Sequence, residues 1–285
     1  MAKIETFFDV ATSTASYLLW DTAAHQAAII DAVLDFDPAT GRLSTASADR
    51  MLARAKELGL QISWALETHA HADHLSAAHH IREQTGAAIG IGARIVEVQN
   101  LFRPMFGVST TEAGSDVFDH LFADEERFRI GSQDVRVMHT PGHTPACVTY
   151  VIGDAAFVGD TLFMPDYGTA RADFPGGDAA TLYRSIRRIL SLPPETRIFV
   201  GHDYLPTGRA QPAWETSVAA ERAANVHVRD GVSEAAFIAM RQARDKTLAA
   251  PRLILPSLQV NIRGGALPKP AEDGRTYLRT PVSIV

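Results

Sequence analysis

Short apolar runs alternate with helix-period stretches through most of this chain. IETFF at 4–8, SYLLW at 16–20 and QAAIIDA at 26–32 read as strands separated by turn-forming residues. Met51, Leu52, Ala55 and Leu58 recur at helical spacing, which predicts a helix capped by Ser47. ISWAL at 62–66 reads as a buried strand that delivers the loop ETHAHADH. A helix over 75–85, stopped at Gly86, and a strand over 87–91 follow it.

The second half repeats the style. FRIGSQDVRVMHT predicts two strands around a turn at Gly131 and Ser132, ending in the loop TPGHTPA at 140–146. CVTYVIGDAAFVGD predicts a hairpin turning at Gly153 and Asp154, which leaves Asp160 at a strand end. A helix over 179–190 and a strand over 197–200 lead into GHDY at 201–204. Beyond residue 205 helical patterns span 214–225 and 233–249, before a Pro- and Gly-rich tail from Pro251. Leu253, Ile254, Leu255 and Leu258 in that tail are costly to expose, so 206–285 is expected to pack on a core formed by 1–205.

Composition narrows the function classes. At 285 residues and 46% hydrophobic, the chain can bury a large core. A net charge of -6 gives no basic footprint for nucleic acid. No run approaches the roughly 20 apolar residues of a membrane span, and the first residues show neither a signal core nor a basic presequence. The single cysteine, Cys147, rules out an internal disulfide and suits a reducing compartment, so a cytoplasmic protein is expected.

Every conspicuous His or Asp falls just beyond a predicted strand, where binding residues concentrate. The pattern His-x-His-x-Asp-His over 69–74 sets His69, His71, Asp73 and His74 close together. In an extended segment His69 and His71 share a side, while Asp73 and His74 come from the other flank. With His143, Asp160 and His202 they make seven ligands of the types suited to zinc, iron or manganese.

The runs THAHADH, PGHT, GDTLF and GHDY resemble the metallo-β-lactamase superfamily. That resemblance implies an αββα sandwich with the metal between two sheets. In its dinuclear members His69, His71 and His143 match one site and Asp73, His74 and His202 the other, with Asp160 bridging. The longer string GDTLFMPDYGTARADFPGGDAATLYRSI, with HADHLSAA, PGHTPACVTY and GHDY, is similar to the persulfide dioxygenases and the bacterial β-lactamase-like hydrolase branch. This implies one Fe(II) per chain held by His69, His143 and Asp160, with Arg171 and Tyr204 beside a thiol-derived substrate. It implies oxidation of glutathione persulfide or a related small persulfide by O2 to sulfite and free thiol, and it admits a homodimer. His71, Asp73, His74 and His202 then orient ligands or water. The slightly longer GDTLFMPDYGTAR loop and the much longer C-terminus depart from the mitochondrial pattern and leave the carrier open.

Two histidines and a carboxylate on one face of iron leave coordination positions open, as in non-haem ferrous oxygenases. The alternative uses all seven residues for two zinc ions that hydrolyse a thioester or lactone, in the manner of hydroxyacylglutathione hydrolase. A third reading is a non-catalytic metal sensor on this scaffold. No Gly-x-Ser-x-Gly elbow occurs, so a serine hydrolase is not a competitor. Taken without the resemblance, Arg171 reads as a partner of Asp173 or Asp166, and Cys147 as a buried structural thiol. His79 and His80 fall on the helix after the motif, and His25, His120, His139 and His227 have no partner pattern.

Overall fold

The computed structural model describes residues 2–110 and 113–282. Two six-stranded sheets form its centre. The first runs Ala2–Asp9, Thr14–Asp21, Gln26–Ile30, Gln61–Leu66, Ala88–Gly92 and His120–Phe122 in spatial order. The second runs Arg127–Ile130, Gln133–His139, Val148–Ile152, Ala155–Gly159, Arg197–Val200 and Glu215–Ser217. A small sheet of Arg42–Ser44, Val33–Asp37 and Leu75–Ser76 lies at one end.

Strand alternation explains the layering. Tyr17, Leu19, Ala28 and Ile30 face inward and meet Val137, Tyr150, Phe157 and Phe199 of the second sheet. Their neighbours Leu18, Ala27 and Ile29 face outward, under Met51 and Ala55 of helix Ala46–Glu57, Ile81 of Ala78–Thr85 and Phe102 of Ile95–Phe106. On the other side Ala156, Val158, Ile198 and Val200 carry Leu182 and Ile186 of helix Ala179–Ile189, Val218 of Val218–Ala224 and Phe237 of Glu234–Asp245. The result is an αββα sandwich.

Several local expectations change. Ser47 is not a cap: it lies within its helix and donates from its hydroxyl and its N–H to Asp35. The strand from Gln26 ends at Ile30, because Asp31 adopts a left-handed φ of 52°. Leu75 and Ser76 pair with Leu34 and Val33 before the helix opens at Ala78, where the Ser76 hydroxyl accepts the Ala78 N–H. Residues 215–217 join the second sheet beside Arg197–Val200, beyond the boundary drawn at residue 205. Helix Ile254–Asn261 lies within the stretch read as a tail and packs Leu258 and Val260 into the first sheet's outer core. Among the described residues no helix is long and apolar enough to cross a membrane.

Candidate metal centre

Four of the loops that follow sheet strands converge at one end of the sandwich. They bring His69 from after Gln61–Leu66, His143 from after Gln133–His139, Asp160 from after Ala155–Gly159 and His202 from after Arg197–Val200. Bridge pairing of Thr14 with His202 joins the two sheets here, and Tyr17 donates to the Val200 carbonyl at 2.5 Å. Two glycines make the approach of the loops feasible. Gly159 has φ 51°, and a Cβ there would stand 2.4 Å from Thr68 Oγ1. Gly142, next to His143, would place a Cβ 2.3 Å from the Leu182 backbone.

The ligand atoms fall into groups. His69, His143 and Asp160 present ligand atoms within 4.8 Å of one another, all three residues buried. Asp160 Oδ2 lies 3.8 Å from both His69 Nε2 and His143 Nε2, a separation suited to ligands of one ion bonded at about 2 Å to each. Hydrogen bonding fixes which ring nitrogens are bare. Thr68 gives its only hydroxyl proton to Asp31 at 2.7 Å, so at 3.0 Å it accepts from His69 Nδ1, leaving His69 Nε2 without a proton. His143 Nδ1 donates to the Arg171 carbonyl at 2.8 Å, which frees its Nε2 in the same way. Burial, reinforced by the neighbouring imidazoles of His71 and His143, holds the His69 pKa well below the usual value, so the ring is neutral and its lone pair sits at Nε2. That atom and Asp160 Oδ1 are buried without a hydrogen-bond partner. Buried acceptors left without a hydrogen bond fit a cation nearby.

His71 lies beside His69, their ring centroids 4.0 Å apart, and differs from it in what its Nε2 meets. The loop is irregular, so period-two alternation does not apply. Its Nε2 lies 3.0 Å from Asp31 and 3.3 Å from Glu67, both buried. Burial opposes a charge on His71, but Asp31 and Glu67 outweigh it and push the imidazole well above its usual range. Burial pushes Glu67 up despite His71, while Asp31 is held low chiefly by that imidazole against its own burial.

His71, Asp73, His74 and His202 form a second possible ligand group within the same 4.8 Å limit. His202 Nε2 lies 3.2 Å from Asp73 Oδ2 and 3.4 Å from Asp160 Oδ1, so Asp160 faces both groups. Burial works against Asp73 ionising, and His202 and His74 overcome it, leaving the carboxyl far below its ordinary range. His74 Nε2 is buried without a partner, as His69 Nε2 is.

Above the ligands opens a cavity of about 500 Å³, with Asp73, His143 and Asp160 at its floor. Phe163, Tyr167 and Tyr204 line it, and Tyr204 stacks on His202 at 5.5 Å. Arg171 lines it too, yet its guanidinium is held by Asp173 at 2.7 Å and by the Ala249 carbonyl at 2.7 Å.

Asn261 was not anticipated. This buried residue of the C-terminal helix donates to the carbonyls of His71 and His74 at 2.8 Å each and accepts the Ser76 N–H at 2.8 Å. No local motif announces it, since its partners lie 185 to 190 residues away in the sequence. Asp31 and Glu67 were within reach of the sequence. Asp31, like Asp160, ends a strand, and Glu67 stands inside the quoted loop. The other histidines have ordinary roles: His79 pairs with Glu83, His80 with Asp49, His120 with Glu126, and His227 accepts the Thr169 N–H. Cys147 is buried, and burial pushes its thiol up to about 12.

Residues 10–202 match the model of the metallo-beta-lactamase superfamily. The chain belongs to that superfamily. It is 52% identical to a probable metallo-hydrolase of Burkholderia pseudomallei, over 99% of both chains. It is 52% identical to the beta-lactamase hydrolase-like protein of Xylella fastidiosa, of whose length it spans only 65%. The mitochondrial persulfide dioxygenase ETHE1 of Homo sapiens is 32% identical over 69% of this chain and 66% of its own. Among solved structures, ETHE1 from Myxococcus xanthus superimposes with a TM-score of 0.74 at 32% identity, covering 93% of this chain and all of its own. This superfamily member is an enzyme, and the residues above are candidate donors for a metal.

Proposed function

We propose that this enzyme is a persulfide dioxygenase that holds one ferrous ion with His69, His143 and Asp160. The observation that carries the reading is that His69, His143 and Asp160 bring their ligand atoms together as a group of their own, while His71 Nε2 lies against the Asp31 and Glu67 carboxylates at 3.0 and 3.3 Å. The resemblance to persulfide dioxygenases in sequence and fold supports it. When bound, ferrous iron supplies open positions for a persulfide sulfur and for dioxygen side by side. The reaction balances as R–S–SH + O2 + H2O giving R–SH and sulfurous acid: the sulfane sulfur loses four electrons, dioxygen gains them, and the S–S bond breaks.

The chain's own tasks are orientation and proton handling. Thr68 and the Arg171 carbonyl set the two ligand rings. Phe163, Tyr167 and Tyr204 wall the space and limit water beside the reacting sulfur. Asp73, at the floor and paired to His202, would accept a hydrogen bond from the water that completes the sulfite and hold it in place. Tyr204 offers a hydroxyl to the substrate, whereas Arg171 would first have to exchange Asp173 for a substrate carboxylate. Glutathione persulfide is the proposed carrier.

A second reading rests on the other ligand group. Asp160 Oδ1 turns towards His202, so two zinc ions sharing Asp160 would also fit, and relatives at 52% identity are named hydrolases. Oxygen uptake separates the two. Protein loaded with Fe(II) without air, then given glutathione persulfide and oxygen, should consume oxygen and release sulfite one for one. No uptake, with thioester hydrolysis by the zinc-loaded protein, would establish the hydrolase instead.

A further inference from the structure

Four arginines line the cavity over the ligands, and they are not equivalent. Arg171 is engaged by Asp173 and the Ala249 carbonyl. Arg241 is buried and paired with Asp245 while donating to the Thr169 carbonyl. Arg244 and Arg252 are exposed, and among the described residues their side chains have no ion pair or hydrogen bond. Arg252 acts on Asp37, and Arg244 on His227, through space only. His227 is an imidazole, held neutral by burial, and offers no negative charge to Arg244.

Two guanidinium groups without an ion pair or hydrogen bond on one cavity are unusual, because arginines near carboxylates normally find them, and Arg252 meets Asp37 only through space. Beside them stand Leu248 and Leu253, so this wall couples free positive charge to apolar surface. Such a wall suits an organic anion with a short apolar stem. The planar guanidinium fork matches a carboxylate with two parallel hydrogen bonds. A cavity of about 500 Å³ accommodates a ligand of short-peptide size.

We propose that Arg244 and Arg252 form a carboxylate-binding subsite that seats the carrier end of a thiol-derived substrate. The reactive sulfur then points to His69, His143 and Asp160. Only the placing of the sulfur rests on the function proposed above, since a persulfide and a thioester carry the same carboxylates at the far end. The subsite also moves substrate recognition to the segment beyond residue 205, away from Arg171, whose charge is already spent on Asp173.

Calorimetry on the metal-loaded protein tests this with S-methylglutathione, which keeps both carboxylates and cannot react, and with its dimethyl ester. Wild-type protein should bind the free acid about tenfold to a hundredfold more tightly than the double variant Arg244→Gln/Arg252→Gln, the loss expected for hydrogen bonds between charged groups. The ester should bind both proteins equally and weakly. Equal affinity of the acid for both proteins, or an ester that binds wild type as tightly as the acid, overturns the subsite. Because neither side chain has a partner, melting temperature and metal content should match wild type, which shows that the variant is folded. Oxygen uptake with glutathione persulfide is read on the same samples. A binding loss in a protein that takes up no oxygen keeps the subsite and removes the dioxygenase reaction. Uptake with unchanged binding removes the subsite alone.

Discussion

Asp160 presents its two oxygens to different neighbours, Oδ2 to His69 and His143, Oδ1 to His202. It therefore faces both ligand groups, and both metal schemes depend on it. Asp160→Ala should therefore reduce bound metal from about one ion per chain to a small fraction and abolish turnover, measured by metal analysis of the purified protein beside an activity assay. Metal retained at the wild-type level with normal turnover would remove Asp160 from the ligand set. At this scale the sequence was informative because ligation demands particular side chains at strand ends, and all seven candidates met at one place. What it lacked was direction. The placing of His71 Nε2 against Asp31 and Glu67 depends on an irregular loop where alternation has no force. The commitment of Arg171 to Asp173 was legible from two residues of spacing, whereas the freedom of Arg244 and Arg252 is a property of the fold.

Elements with clean periodicity were read closely. Helix Ala179–Ile189 buries Leu182, Ile186 and Ile189 on one face and is capped by Asp178, which accepts the Thr181 N–H. Helix Ile95–Phe106 was missed: β-branched residues open it and Pro104 interrupts its last turn, so its propensity is poor and packing of Val98 and Phe102 maintains it. Helix Ile254–Asn261 was missed for a related reason, since Pro256 reads as a breaker yet occupies the first turn, where an N–H is not needed. Helix Val218–Ala224 carries a concealed acid. Glu221 is buried, accepts from the Asn225 side chain at 2.6 Å, and leaves its other oxygen without a partner. Burial pushes its carboxyl up from 4.5 to about 8, with Asn225 opposing and Asp166 adding. Below 4.5 the folded and unfolded chains both keep the proton. Between 4.5 and 8 only the folded chain keeps it, so stability falls as pH rises, and above 8 it levels off. Glu221→Gln should remove that slope and stabilise the protein at pH 9 by roughly 2–4 kcal/mol relative to wild type. Urea unfolding of both proteins across this range checks it, and parallel curves would show that Glu221 is not the source.

Across the whole molecule, the two sheets and their outer helices were readable because each strand carries a period-two pattern and each exposed layer a helical one. Where the core ends was not readable. The last strand of the second sheet and the clamp on the ligand loop both come from beyond residue 205, and neither leaves a local mark. Asn261→Leu should keep the fold's size and apolar packing while releasing the backbone of His71, His74 and Ser76. Metal affinity, measured by competition with a chelator, is expected to fall about tenfold or more, as for lost groups that support metal ligands. An unchanged affinity would make Asn261 a packing residue only. The clamp also has a consequence for biosynthesis. Asn261 follows His71 by 190 residues, so a ribosome has made the ligand loop long before it makes the side chain that fixes it. A metal ion met during translation finds His71, His74 and Ser76 on an untethered segment. Fixing of the ligand loop by this clamp therefore waits until residue 261 has been made and folded back onto it.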